Sequence, residues 1–392
     1  MKRAMLGLVV GLCVALACAT AQDVRAREVV AEEDRPLIQM AILLDTSGSM
    51  SGLIDQARTQ IWKIVNEFAT TRKDGRIPQF QVALYEYGKS SLPQDEGYMR
   101  MILPLTTDLD KVSEELFALK TNGGSEYCGM VIKQAAENLR WSGSNDDLKV
   151  IFIAGNEPFT QGSVDYKKAC KAAITKGIVV NTIHCGAEKA GIDGKWKHGA
   201  QLADGSYMCI NQNRQVVHID APQDEEIARL GRELNETYVP YGAAGEASRE
   251  RQMEQDANAA SRAAAGAQVQ RMVAKAGPQY RNTSWDLVDA LQEEKVKLEE
   301  LEEEALPEKL REMSPEERKA YIEQQAARRA QIQQKIKELN AARKKHIAKE
   351  REKLTGSEEN TLDQVMISTL REQAARKGFE PEQKETPSED AE

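Results

Sequence analysis

Leu37 to Leu44 reads LIQMAILL and runs without a break into Asp45-Thr46-Ser47-Gly48-Ser49-Met50. A nearly continuous apolar run of this length is the pattern of a strand buried on both faces, as in parallel sheets. Behind the polar loop, Leu53 to Ala69 places Ile54, Ala57, Ile61, Ile64, Val65 and Phe68 at helical spacing. The unit is therefore strand, tight loop, helix. The spacing D-x-S-x-S sets one carboxylate and two hydroxyls, those of Asp45, Ser47 and Ser49, on one turn. An all-oxygen set suits a hard divalent cation such as Mg²⁺ or Ca²⁺. The plainer reading is a Ser-rich cap on the following helix.

Further along, the same alternation repeats. Phe80 to Tyr87, Tyr98 to Leu105, Leu148 to Ala154, Ile178 to His184 and Tyr207 to Ile210 read as strands. Leu109 to Leu119, Gly129 to Leu139, Asp165 to Lys176, Trp196 to Leu202 and Asp224 to Leu234 read as helices. Strands separated by helices imply an α/β fold, a doubly wound, mainly parallel sheet covered on both faces. Ligands of such sheets bind where the carboxyl ends of the strands meet the loops, which is where Asp45 stands.

DTSGSMSG after an apolar strand resembles the metal-ion-dependent adhesion site of von Willebrand factor type A domains, and the element order over residues 36–241 fits that fold. The resemblance implies a second metal loop with a hydroxyl after Gly-Gly. Thr121-Asn122-Gly123-Gly124-Ser125-Glu126 supplies Ser125 there. It also implies an aspartate after the fourth strand, and here Gly155 takes that place, followed by Asn156-Glu157. The site is thus a degenerate one, expected to hold Mg²⁺ or Ca²⁺ weakly through Asp45, Ser47, Ser49 and Ser125. Asn156, Glu157 and Glu126 are the possible substitute ligands. The family mechanism is recognition: an acidic side chain of a protein partner completes the coordination of the ion. By position in these loops, Met50, Gly52, Ser91, Tyr127 and Phe159 are expected around the contact.

Residues 1–21 carry a targeting pattern. Lys2 and Arg3 precede an apolar run to about Ala17, and Ala19-Thr20-Ala21 is an A-x-A cleavage site. A secretory signal peptide follows from this, with the mature chain periplasmic or extracellular and without a transmembrane span. An uncleaved anchor is the competing reading. Export permits disulfides. Cys128, Cys170, Cys185 and Cys209 remain after cleavage and allow three connectivities. Cys128 and Cys185 are both expected near the carboxyl end of the sheet, so their pairing is the preferred one, against free buried thiols. His184, Cys185, His198 and Cys209 lack zinc spacing, and Ser47 lies in no G-x-S-x-G elbow. The chain is read as no enzyme.

Composition divides the 392 residues. Sixteen of the twenty aromatic residues precede Gly245, and no cysteine follows Cys209. The net charge of -9 excludes nucleic acid as the main partner. Residues 242–283 read as a linker or solvated helix, and 284–378 as an all-α, partly coiled-coil extension. In the latter, Leu287, Leu291, Leu298, Leu301 and Ala305 form a short 4-3 seam interrupted by Glu294. Ser314 to Glu317 opens a further helix with a capping box, and 379–392 is read as a disordered acidic tail. The leading function is a binding or adhesion-type protein acting through the cation. The alternative is a metal-independent structural or assembly protein whose helical tail carries the interaction, with self-association through that tail. Arg343-Lys344-Lys345-His346 reads as part of a salt-bridged exposed face.

Overall fold

Alternate residues of the first strand decide the layering. A computed structural model describes residues 35–213, 218–263, 266–353 and 362–381. The signal-peptide reading, Cys13 and Cys18 and most of the acidic tail lie outside them. Strand β1 (Leu37–Asp45) sends Ile38, Met40, Ile42 and Leu44 to one core and Ala41 and Leu43 to the other, as the period of two requires. After α1 (Ser51–Phe68) and the short β2 (Thr71–Arg72) come β3 (Gln79–Tyr87), β4 (Met99–Thr106), α2 (Leu109–Ala118) and α3 (Cys128–Asn138). Then follow β5 (Leu148–Gly155), α4 (Tyr166–Thr175), β6 (Val179–Cys185), α5 (Glu188–Asp193), α6 (Trp196–Gln201), β7 (Tyr207–Ile210) and α7 (Asp224–Asn235). The main sheet has the order β4-β3-β1-β5-β6-β7. Only β4 pairs antiparallel. Chain order departs in opposite directions from the β1–β5 boundary, so the crevice rule for open sheets points to the carboxyl ends of these two strands.

The C-terminal region is part of the same compact unit, which runs from Pro36 onward. The 242–283 stretch is not a solvated linker. It forms α8 (Gly245–Ser261) and α9 (Ala267–Lys275), and Arg271 and Lys275 are fully buried. Their charges explain how polar helices pack. Arg271 pairs with Asp110 at 2.7 Å and Asp256 at 2.6 Å, and its guanidinium lies 4.6 Å from the Trp62 ring centroid. Lys275 pairs with Asp256 at 2.8 Å.

The 4-3 seam forms no coiled coil among the described residues. It becomes α10 (Leu287–Gln292) and two 3-10 turns, Leu298–Glu300 and Glu303–Ala305. Glu294 takes a left-handed conformation at φ 54 and ends the helix, and Lys295 N–H bonds back to the Ala290 carbonyl at 2.8 Å. Leu287 and Val288 instead join Val239, Leu306, Leu310 and Ile322 in a small core.

After α11 (Glu308–Arg311), α12 (Pro315–Lys353) lies on α7, α9 and α10. Arg329 on it bonds Asp286 and Asp289 and covers the Tyr238 ring at 4.2 Å. Helix α13 (Leu362–Arg376) packs on α1 and adds Leu362, Val365, Met366 and Leu370 to the main core. The tail begins ordered: Phe379 is buried, and β8 (Glu380–Pro381) pairs antiparallel with β2. No described helix is long and apolar enough to cross a membrane.

Candidate metal centre

Three loops meet at the carboxyl end of β1. Backbone bonds hold them: Thr46 N–H donates to the Tyr87 carbonyl at 2.8 Å, and Asn122 N–H donates to the Thr46 carbonyl at 2.9 Å. Asp45 is fully buried, and its Oδ1 accepts the Ser47 N–H at 2.7 Å. Its Oδ2 is buried with no hydrogen-bond partner, a costly state for a carboxylate unless something fills it. Ser47 Oγ and Ser49 Oγ lie 3.4 Å apart, so the two hydroxyls adjoin as the D-x-S-x-S spacing implies. Asn156 Nδ2 donates to Ser49 Oγ at 3.3 Å, while its Oδ1 is a second buried acceptor without a partner. A half-turn of that amide would set Oδ1 toward Ser49.

Glu126 completes the cluster. It is 2% exposed, and its Oε2 accepts the Glu157 N–H at 3.2 Å. Burial, then the Asp45 charge, push the Glu126 carboxyl up to about 9. Burial also raises Asp45, with the Glu157 charge adding to it, against the opposing bond from Ser47. Two carboxylates in one buried site do not both ionise unless a cation offsets their charge. Gly88, at φ +79, leaves the room for both: a Cβ there would sit 2.7 Å from Asp45 Oδ1 and 2.8 Å from Glu126 Cγ.

Position 155 leaves little room for a side chain. A Cβ on Gly155 would meet the Tyr87 hydroxyl at 2.5 Å, the Trp196 ring at 3.1 Å and Asp45 Cβ at 3.2 Å. Tyr87 donates to the Ala154 carbonyl at 2.9 Å, so it is fixed in that space. Of the substitutes, Asn156 and Glu126 touch the cluster. The Glu157 side chain is exposed and accepts from Gln161 at 3.2 Å instead. Ser125 is half-buried, one residue before Glu126, and is not hydrogen-bonded to Asp45, Ser47 or Ser49. Tyr87 was missed from sequence. Its signal was the glycine itself, because a vacated side-chain position inside a core has to be filled.

Met50 and Phe159 are fully buried core residues rather than rim contacts. Beside the cluster lies a cleft of about 600 Å³ lined by Gln94, Asp95, Tyr127, Met130, Gly162 and Ser163. The Cys128–Cys185 disulfide is not formed, and all four cysteines beyond Cys18 are free thiols. Cys128 lies in the core on one face of the sheet and Cys185 in the core on the other. Both are near the carboxyl end, but the sheet stands between them. A second cluster, His218, Asp220 and Asp224, has its Asp224 paired with Arg343 at 2.5 Å.

Residues 39–194 match the family model described as von Willebrand factor type A domain. That segment is therefore a domain of this family, the Rossmann-like class that the fold defines, followed by a helical region. No curated protein matches the chain. Among solved structures, the chain is similar to the VWA domain of SpRpn10, with 16% identity over 46% of this chain and 100% of that one, at a TM-score of 0.34. It is also similar to the conserved hypothetical protein BatB from Bacteroides thetaiotaomicron, with 17% identity over 44% of this chain and 90% of that one, at 0.33. A third is proximal thread matrix protein 1 from the mussel byssus, with a zinc-occupied MIDAS motif: 13% identity, 45% of this chain and 42% of that one, at 0.34.

Proposed function

We propose that the protein is a recognition module whose 36–241 domain takes a carboxylate of a protein partner through a divalent cation. The residues that would hold the ion are Asp45, Ser47 and Ser49, with Asn156 and Glu126 in place of the third-loop aspartate and Ser125 from the second loop. The observation that carries this is the pair of buried, unpartnered acceptors, Asp45 Oδ2 and Asn156 Oδ1, beside two adjoining hydroxyls. When bound, the ion supplies positive charge that makes an acidic side chain attractive to an acidic loop. The protein's own part is to orient oxygens, and Glu126, pushed up to about 9 by burial and the Asp45 charge, gives up its proton when the ion binds. Binding, not turnover, is the role this site suits. The residue 1–21 pattern supports an exported location on sequence grounds. Mg²⁺ or Ca²⁺ fits an all-oxygen set better than a soft metal.

Calorimetric titration of the divalent ion in buffers of different ionisation enthalpy tests the reading. A saturable heat that depends on Asp45 and on the buffer, from the released proton, is expected. Heat that is absent, or unchanged in Asp45→Ala, would reject it.

A further inference from the structure

Helix α12 runs on past its last buried residue, Arg343. Its buried residues, Ile322, Gln325, Arg329, Ile332, Ile336 and Arg343, form one stripe at three- and four-residue spacing. Arg329 faces Thr237, just beyond the end of α7, while Arg343 faces Asp224 at its start. The two helices are therefore antiparallel. Helix α7 runs away from the carboxyl end of β7, so α12 climbs toward the end of the sheet that carries the metal loops. Past Arg343 it continues for ten residues, ~15 Å of helix.

That last stretch is basic in an acidic protein. From Arg343 to Lys353, six of eleven residues are Lys or Arg against two Glu, in a chain of net charge -9. The sequence suggests that these charges are paired, and the structure pairs two of the six, Arg343 with Asp224 and Lys353 with Glu350. Glu350 pairs with Lys353 at 2.7 Å, and Glu338 accepts from Gln334 at 2.7 Å. Lys344, Lys345 and Lys349 are exposed and form no ion pair among the described residues. Lys337, Lys344 and Arg351 are exposed and repeat every seven residues along one flank of the buried stripe. Helix α13 begins beside α1. Leu362 N–H bonds Gln56 Oε1 at 3.1 Å in α1, the helix that begins at the metal loop. Nine chain steps from Lys353 to Leu362 cap their separation at about 31 Å.

We infer that this basic spur is a second contact for the partner, and that the partner is a protein segment carrying several Asp or Glu residues. One carboxylate would meet the cation and others the spur. Only the direction of approach rests on the function proposed above. The spur's charge stands by itself. Long-range attraction of this kind raises the association rate and falls with salt.

The test uses the full chain and a fluorescent decaglutamate peptide, read by anisotropy at low salt in Mg²⁺ and in EDTA. Lys344→Glu/Lys345→Glu/Lys349→Glu is compared with wild type and with Asp45→Ala, and circular dichroism checks that each variant is folded. The expected result is a loss of about tenfold or more for the triple variant in both buffers, whereas Asp45→Ala loses only the Mg²⁺-dependent part. Equal binding by the triple variant overturns the spur, whatever the metal does. A triple variant that still loses its binding, in a protein indifferent to EDTA, upholds the spur and defeats the metal reading. Tighter capture by phosphatidylglycerol vesicles than by the peptide, lost in the triple variant, overturns the acidic-protein assignment.

Discussion

Gly155→Ala is a small change with a large expected effect. The added methyl would stand 2.5 Å from the Tyr87 hydroxyl, 3.1 Å from the Trp196 ring and 3.2 Å from Asp45 Cβ. None of the three can retreat freely. Tyr87 and Trp196 are fully buried, and Tyr87 is held by its bond to Ala154. Overpacking of this kind costs about 1–3 kcal/mol, and contact with three fixed groups places the variant near the upper end. Tyr87→Phe removes the nearest of the three atoms and, alone, loses the buried bond to the Ala154 carbonyl and the weaker one from the Cys128 thiol, about 1–2 kcal/mol together. The double variant is therefore expected to be less destabilised than the sum of the singles, by about 1 kcal/mol or more. Urea denaturation, with the slope unchanged, measures all four corners of the cycle. A neutral Gly155→Ala, or additivity within about 0.5 kcal/mol, would refute the claim that packing leaves no room for a side chain at position 155. By the same reasoning Gly155→Asp does not strengthen Mg²⁺ binding.

Four further outcomes follow. Removing α13 by ending the chain at residue 361 deletes Met366 and Leu370, both 1% exposed or less, with the buried apolar Leu362, Val365, Ala374 and Phe379, and uncovers the core they cover. At about 1.5–3 kcal/mol each the loss exceeds ordinary net stability, so that truncation is expected to be insoluble or unfolded by circular dichroism. Arg329→Met strands Asp286 and Asp289 in the core without a cation and is expected to cost about 3–5 kcal/mol, visible as a lowered Tm. Burial works against ionised Asp256, but Lys275 and Arg271 prevail and hold its carboxyl down to about 2. Its folded pKa is below the unfolded value, so its stabilisation is complete above about pH 4 and is lost as pH falls toward 2. Asp256→Asn should flatten that part of an acid-unfolding curve. Native alkylation followed by mass spectrometry is expected to label Cys209, which is half-exposed, ahead of Cys128, Cys170 and Cys185. A native mass short by two hydrogens would contradict the free thiols.

The sheet and the metal loop were legible because both are local patterns. LIQMAILL announces a strand buried on both faces, and Asp45, Ser47 and Ser49 are two residues apart on one turn. What could not be read depends on pairs distant in sequence. Arg271 and Lys275 look like solvated charges until Asp110 and Asp256 are placed beside them. Phe379 looks like the start of a disordered tail until it is placed over Lys73 at 5.0 Å. The seam failed for a single backbone reason, the left-handed Glu294. The disulfide failed because nearness to one end of a sheet does not specify a face. At the site, sequence named Asn156, Glu157 and Glu126 alike as substitutes. Only the fold separates the two that meet Ser49 and Asp45 from the one that faces outward.

The central claim is that the orphaned oxygens around Asp45 are metal ligands. Crystals of the full chain soaked in Mn²⁺ and measured at its absorption edge test it most directly. The account predicts an anomalous peak bonded to Asp45 Oδ2 and the hydroxyls of Ser47 and Ser49, with Asn156 turned toward it. No peak there, or one only at His218, Asp220 and Asp224, would contradict it.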